Sequence, residues 1–274
     1  MKRIHSLSKL DIRVAWANAV SVVATNREVL LAIAGVFFLL PSLIAAVLIP
    51  SPIFYSGMSE QQMLDALQEY YTNSLPVLIV LSFISTVGML TMLMVQLDAA
   101  RPTVGQAIWR SFLATPSYIG AQLMVALAVL PLAMILVAIL AQGIAEHFVT
   151  VIVFVVGLYP VMRTMLVGPA LAQAQERSPI ASIRASLRLT RGNTGRLITF
   201  IGLAAFVFLM VYSLSMTLVG AALKLAIIGE PQRLISEAIG GALQAIGYTY
   251  YVAILAAVYG QLSSHEREAT SAFD

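Results

Sequence analysis

Cysteine is missing from this chain altogether, which excludes disulfides, thiolate metal sites and cysteine nucleophiles at the outset. Charge is scarce: the four charged residue types make up 11% of 274 residues, against about a quarter of an average soluble domain. Histidine occurs three times, as His5, His147 and His265 in separate segments, and "HERE" at 265–268 lacks the second histidine of a zinc-binding helix. No metal and no other cofactor is expected. The sequence has no G-x-S-x-G nucleophile elbow, no phosphate-cradling glycine loop and no paired intramembrane carboxylate. Hydrolase and nucleotidase chemistries therefore lack their parts, and an enzyme is not expected. A net charge of +3 is too small to imply nucleic acid.

Apolar residues are abundant instead. They make up 59% of the chain, with a mean hydropathy of +0.89, which is more apolar surface than one soluble core of this length can bury. A bilayer core needs about 20 predominantly apolar residues in a helix. Six such stretches occur, near 29–49, 75–95, 117–141, 148–171, 197–228 and 238–262. The expected fold class is an all-α, polytopic membrane protein forming one six-span domain over 1–274, with a terminal segment at 1–28 and a tail at 263–274. A polar, basic segment precedes the first stretch and "AAVLIPSP" offers a weak cleavage site, so the N-terminus is expected to be retained. The fifth stretch exceeds one span and should tilt or project, with Lys224 reaching back to the interface. "SEQQMLDALQEYY", 59–71, reads as an acidic amphipathic helix lying against the outer surface, started by Ser59 and Gln62 as a capping box.

Placing both termini in the cytoplasm puts all but three of the 16 lysines and arginines inside; Lys224 and Arg233 fall outside and Arg163 within a span. That bias is the positive-inside pattern, and it implies a chain that crosses its membrane several times with both termini cytoplasmic.

"SPIASIRASLRLTRGN", 178–193, concentrates arginine between two apolar stretches. Ser178 is a good N-cap with Pro179 at the first helical position, and Gly192-Asn193 is a good stop, so a helix of about 14 residues is expected. Ile180, Ile183 and Leu187 form an apolar stripe beside the arginines Arg177, Arg184, Arg188 and Arg191. This is the pattern of a helix lying in the membrane interface with guanidinium groups at anionic phospholipid headgroups; the topology rule alone would also place charge there. The arrangement recurs. Offsets of 90 and then 75 align Ser21, Ser111 and Ser186, and likewise Thr25, Thr115 and Thr190, which implies three units, each an inner amphipathic helix followed by a hairpin of two spans. Gly220, Gly240 and Gly241 read as close-packing points between helices.

"GLYPVMRTMLVGPALAQAQERSPIASIRASLRLTRGN", 157–193, with its Tyr159-Pro160 pair, the arginine that follows, the "SP" start and the "SLRLTRGN" run, resembles the YciC-like bacterial inner-membrane proteins. It also resembles the membrane domain carried by some glycerophosphodiester phosphodiesterases. The resemblance implies a multi-helix inner-membrane module; after the sixth span too few residues remain for the catalytic barrel of the enzyme-bearing form.

Arg163 has two readings, a side chain that snorkels to the headgroups or an internal anion site in a cavity behind Tyr159 and the Pro160 kink. Asp98 is placed to pair locally with Gln96 or Arg101. The candidate headgroup or anion residues are thus Arg163, Arg184, Arg188, Arg191 and Tyr159. The expected function is a non-enzymatic membrane protein that binds or organises lipids, anionic phospholipid among them, or membrane protein partners. A transporter of a lipid-like or anionic solute is the alternative, disfavoured by the lack of deep carboxylates for ion coupling, and an intramembrane enzyme is the remotest reading.

Overall fold

In hydrocarbon a single chain segment can satisfy its own backbone only as a helix, and helices account for nearly all of this protein. The computed structural model describes residues 9–49, 54–98, 100, 102–140, 146–173, 178–226 and 229–271, and no strand occurs among them. Six helices among these residues are long and apolar enough to cross a membrane, and the protein is a multi-pass membrane protein. His5, Arg101 and Arg177, and the side chains of His147 and His265, lie outside the described residues.

α1 (Ile12–Thr25) is capped by Asp11, whose carboxylate accepts from the amides of Arg13 (2.9 Å) and Val14 (3.2 Å). The first span follows in three pieces, α2 (Arg27–Ala34), a π-helical turn (Gly35–Leu39) and α3 (Leu40–Leu48). Pro41 explains the turn: it has no N–H to give to the carbonyl one helical turn back, and the Leu40 amide reaches Gly35 instead.

α4 (Glu60–Leu97), 38 residues and about 57 Å long, joins segment 59–71 and the second span in one piece. The capping box at its start is formed: the Gln62 amide donates to Ser59 Oγ (3.2 Å) and the Ser59 amide to Gln62 Oε1 (2.9 Å). The segment 59–71 therefore projects along the span axis and does not lie flat. Likewise, α5 (Val104–Leu140) fuses the segment before the third span with that span. α6 (Glu146–Thr164) and α7 (Val167–Gln173) make the fourth span, α8 (Pro179–Leu189) is the arginine-rich helix, and α9 (Thr194–Ala226) and α10 (Glu230–Ser271) are the last two spans.

The contacts run in a cycle. α1 and the first span pack on α10, α5 packs on α4, and α8 and α9 pack on α7 and α6. The first, third and fifth spans, each with the helix that precedes it, thus sit against the sixth, second and fourth spans respectively. The second, fourth and sixth spans also meet one another, α4 with α7 and both with α10, and their side chains Leu90, Met92, Leu93, Leu166, Val252 and Val258 are fully buried. The most apolar stretch of α5 has none of its residues buried, whereas half of the corresponding stretches of α4 and α10 are buried. α4 and α10 build the core, and the far half of α5 is covered on one face only, by α6 and the cavity beside it.

α1, the start of α5 and α8 each dock by small residues four apart: Ala15, Ala19 and Val23; Ala107, Ser111 and Thr115; Ser182, Ser186 and Thr190, all buried. The second and third sets are related by the expected offset of 75. The first set lies 92 residues before the second rather than 90, and Ser21 and Thr25 are exposed. Side-chain size at the buried positions, not hydroxyl identity, marks the docking face of α1.

The described ends of the chain share one face. The Leu10 amide donates to Asn193 Oδ1 (2.8 Å), and Arg196 Nη1 donates to the Leu10 carbonyl (2.8 Å), so the start of α1 is pinned to the start of α9. On the opposite face, Arg233 Nη1 donates to the Ala46 carbonyl (2.8 Å) in the last turn of α3, where a cation suits the helix dipole. In this cysteine-free chain, single cysteines at Tyr55 and Gln232 should react with an impermeant maleimide from the side opposite to one at Ser264. Labelling of all three from one side would refute the six-span path.

Candidate functional site

The fourth span is broken, and the break follows from Pro169. A continuous helix would need its missing N–H to reach the carbonyl of Met165, which its ring would also crowd. The chain instead ends α6 at Thr164 and restarts at Val167, with the Ala170 amide returning to the Leu166 carbonyl (2.9 Å). Broken backbone at membrane depth requires substitute partners, and α8 supplies them. Ser186 Oγ donates to the Arg163 carbonyl (2.8 Å) and accepts from the Leu166 amide (3.2 Å). Thr190 Oγ1, which also donates to the Ser186 carbonyl (2.8 Å), lies 3.3 Å from the same Arg163 oxygen.

Beside the break is a cavity of about 310 Å³, bounded by α5, α6, α4, α7 and α10. Its walls are mainly apolar: Val125, Ala126, Val129 and Leu130 of α5, Pro160 and Val161 of α6, Met89 of α4 and Leu255 of α10. The polar groups are Tyr118, Gln122, Thr164 and Tyr251. Gln122 Nε2 donates to Tyr118 Oη (2.7 Å), and Thr164 Oγ1 is taken up by the Pro160 carbonyl (2.8 Å). Gly168 keeps the floor open: a Cβ there would lie 3.2 Å from Leu93 and 3.6 Å from the Tyr118 ring. Pro116 and Pro131 bracket the α5 wall, each withdrawing one backbone N–H. A concave, mostly apolar site with a few convergent polar groups is the usual form of a small-molecule pocket. Here the surrounding medium is lipid.

The residues singled out from the sequence lie elsewhere. Arg163 is half-buried in the last turn of α6 with its guanidinium carbon 6.0 Å from the centre of the Tyr159 ring. Tyr159 is 56% exposed, and neither residue lines the cavity, although Pro160 does. Arg184, Arg188 and Arg191 are exposed. At 100° per residue, Arg184 and Arg188 stand about 160° from Ser186, on the face of α8 directed away from its docking surface. The structure thus pairs Arg163 with Tyr159 and does not gather the five residues into one anion pocket.

Two further expectations about this region are corrected. Helix α8 covers 11 residues, not 14, and its apolar stripe is split: Ile183 packs against Ala121, Val167 and Leu171 inside the protein, while Ile180 is exposed. The Ser/Thr face makes the docking contact. Asp98 pairs with Arg110 (2.8 Å), both amide atoms of Gln96 are buried without a partner among the described residues, and the expected pairing with Arg101 falls outside those residues. Among those residues there is no group of three metal-binding side chains.

Tyr118, Gln122 and Tyr251 were not singled out from the sequence. Signals for them exist: Gln122 is an uncharged polar residue inside an apolar run, and "YTYY" at 248–251 is an aromatic cluster within a span, where Tyr248 stacks on Phe38 at 4.7 Å. Comparison of the chain with protein families, curated proteins and solved structures finds no match.

Proposed function

We propose that this multi-pass protein is a non-enzymatic module of a bacterial inner membrane, with both termini cytoplasmic, that binds or organises membrane lipids. The observation that carries the reading is the lipid-facing cavity at the break in the fourth span, with apolar walls and the Tyr118–Gln122 pair at one end. The outward arginines of α8 add a second contact, with anionic phospholipid headgroups, and the same surface is open to a membrane protein partner. The resemblance of 157–193 to the YciC-like proteins agrees with this role. A second reading, passage of a lipid-like or anionic solute, draws on the broken helix beside the cavity, since discontinuous spans commonly form substrate sites in transporters.

The test is purification in native nanodiscs with mass spectrometry of the retained lipid. Replacing Arg184, Arg188 and Arg191 together by lysine keeps the charge that sets topology but removes the bidentate fork that grips a phosphate. The triple variant should insert normally and retain several-fold less anionic phospholipid. Arg163→Lys, with one guanidinium beside Tyr159, should change retention less. A lipid composition no different from that of empty discs would refute the proposed role.

A further inference from the structure

Resting on the lipid-binding reading, we infer that the cavity holds one acyl chain of a lipid from the leaflet beside the terminal face, and that Tyr118 and Gln122 bind the neutral linkage joining chain to headgroup. Dimensions support a single leaflet. The α5 wall runs from Tyr118 to Leu130, about 18 Å at 1.5 Å per residue, close to half of a hydrocarbon core of about 30 Å. Direction follows from the chain path. Tyr118 and Gln122 lie towards the terminal face and Val129 and Leu130 towards the bilayer middle, so polar and apolar ends are ordered as in a lipid of that leaflet. A lipid of the opposite leaflet would set its chain end against the polar pair.

Charge excludes the headgroup itself. No aspartate, glutamate, lysine, arginine or histidine lines the cavity, and an unpaired phosphate would be costly there. The linkage is matched instead by unused hydrogen-bonding capacity. Gln122 gives one N–H to Tyr118 Oη; its second N–H, its carbonyl, and the O–H groups of Tyr118 and Tyr251 have no partner among the described residues. Hydrocarbon holds no water to satisfy them. An ester or amide carbonyl accepts from the Tyr118 O–H or the Gln122 N–H, and a hydroxyl or amide N–H donates to Gln122 Oε1. The acyl chain then lies along Val125, Ala126 and Val129, opposite Val161.

The experiment uses the full chain in nanodiscs containing a diacyl phospholipid with a photoreactive diazirine either in mid-chain or on the headgroup. The mid-chain probe should label peptides covering 125–130 and 160–165, and the headgroup probe should not. Ala126→Trp should cut that labelling at least tenfold while leaving annular labelling near Phe206 and Leu214 of α9 unchanged. Gln122→Leu, which keeps the volume and removes the hydrogen bonds, should cut it about three- to tenfold. Variants are compared only where the thermal transition is retained, and the two act differently: Ala126→Trp fills the space of the acyl chain, and Gln122→Leu removes the polar pair. Headgroup labelling of the cavity peptides, or full mid-chain labelling in Ala126→Trp, would overturn the inference. If neither probe reaches the cavity while lipid still co-purifies and is lost in the arginine-to-lysine variant, the inference falls and the lipid-binding reading stands. Loss of all selective co-purification removes the reading itself.

Discussion

Gly88→Leu is expected to abolish accumulation of folded protein, and Gly88→Ala to lower thermal stability by about 1–3 kcal/mol, while Gly220→Ala is silent or slightly stabilising. A Cβ at Gly88 would run into Cβ and Cγ of Phe37. Phe37 belongs to the π-helical turn created ahead of Pro41, and its Cβ is fixed by the backbone, so only a shift of the first span away from α4 relieves the clash. Alanine's better helix propensity, up to about 1 kcal/mol over glycine, offsets only part of that. Gly247 gives an intermediate case, because its Cβ would meet the far edge of the Phe208 ring, which can swing. Nothing lies within 4 Å of a Cβ at Gly220. The predicted order of melting temperature in detergent is Gly220→Ala highest, then Gly247→Ala, then Gly88→Ala. A Gly88→Ala protein that melts with the parent would show that α4 and the first span do not approach this closely.

The contrast among glycines shows what a sequence can and cannot carry. Gly240 and Gly241 are packing points, as expected, against Met216 and Tyr212 and against Ser42 and Leu39, whereas Gly220, from which the same was expected, faces open space. Glycine content marks where close approach is permitted, and only the partner helix decides whether it occurs. The six spans were legible because twenty apolar residues in lipid have essentially one backbone solution. The caps at Ser59 and Ser178 were legible because a cap is a contact between near neighbours in the chain.

Fusion of segment 59–71 with the second span, and of the segment before the third span with that span, was not legible. Pro76 and Pro116 read as breaks in water, yet both sit inside continuous helices, as proline does where neighbouring helices and side chains take up the freed carbonyls. The candidate site was missed for a related reason. The scarce arginines of α8 stand at the surface, where charge is cheap to solvate. In lipid a neutral tyrosine or glutamine is already a polar event, and Tyr118, Gln122 and Tyr251 converge only after α5 and α10 are packed. The real break in the fourth span was written in "VGP" at 167–169, not at Pro160.

Ser186→Ala combined with Thr190→Val is expected to be among the most damaging substitutions outside the core, whereas Ser111→Ala, the counterpart of Ser186→Ala 75 residues earlier, should cost little. Both serines are fully buried on the docking face of a helix, so burial does not separate them. The partner does. Ser111 lies against α4, which is unbroken, and its hydroxyl finds only Met94 Sδ at 3.3 Å, a weak acceptor. Ser186 lies against the break, where its hydroxyl serves both the Arg163 carbonyl and the Leu166 amide. Removing it strands two backbone groups in a low-dielectric setting, at about 1–3 kcal/mol each, and Thr190→Val removes the second donor to the same carbonyl. The double variant should therefore lose about 2–6 kcal/mol, read as a shift in the unfolding midpoint, against less than about 1 kcal/mol for Ser111→Ala. Release of α8 should also be visible directly: a single cysteine at Ser182, 4% exposed in the native packing, becomes reactive to a soluble maleimide in the double variant and stays protected when Ser111 is changed. Equal losses at the two sites would mean that the hydroxyls contribute through size alone. The α6–α7 break would then be held by apolar packing, and the capture of its backbone by α8 would have no energetic role.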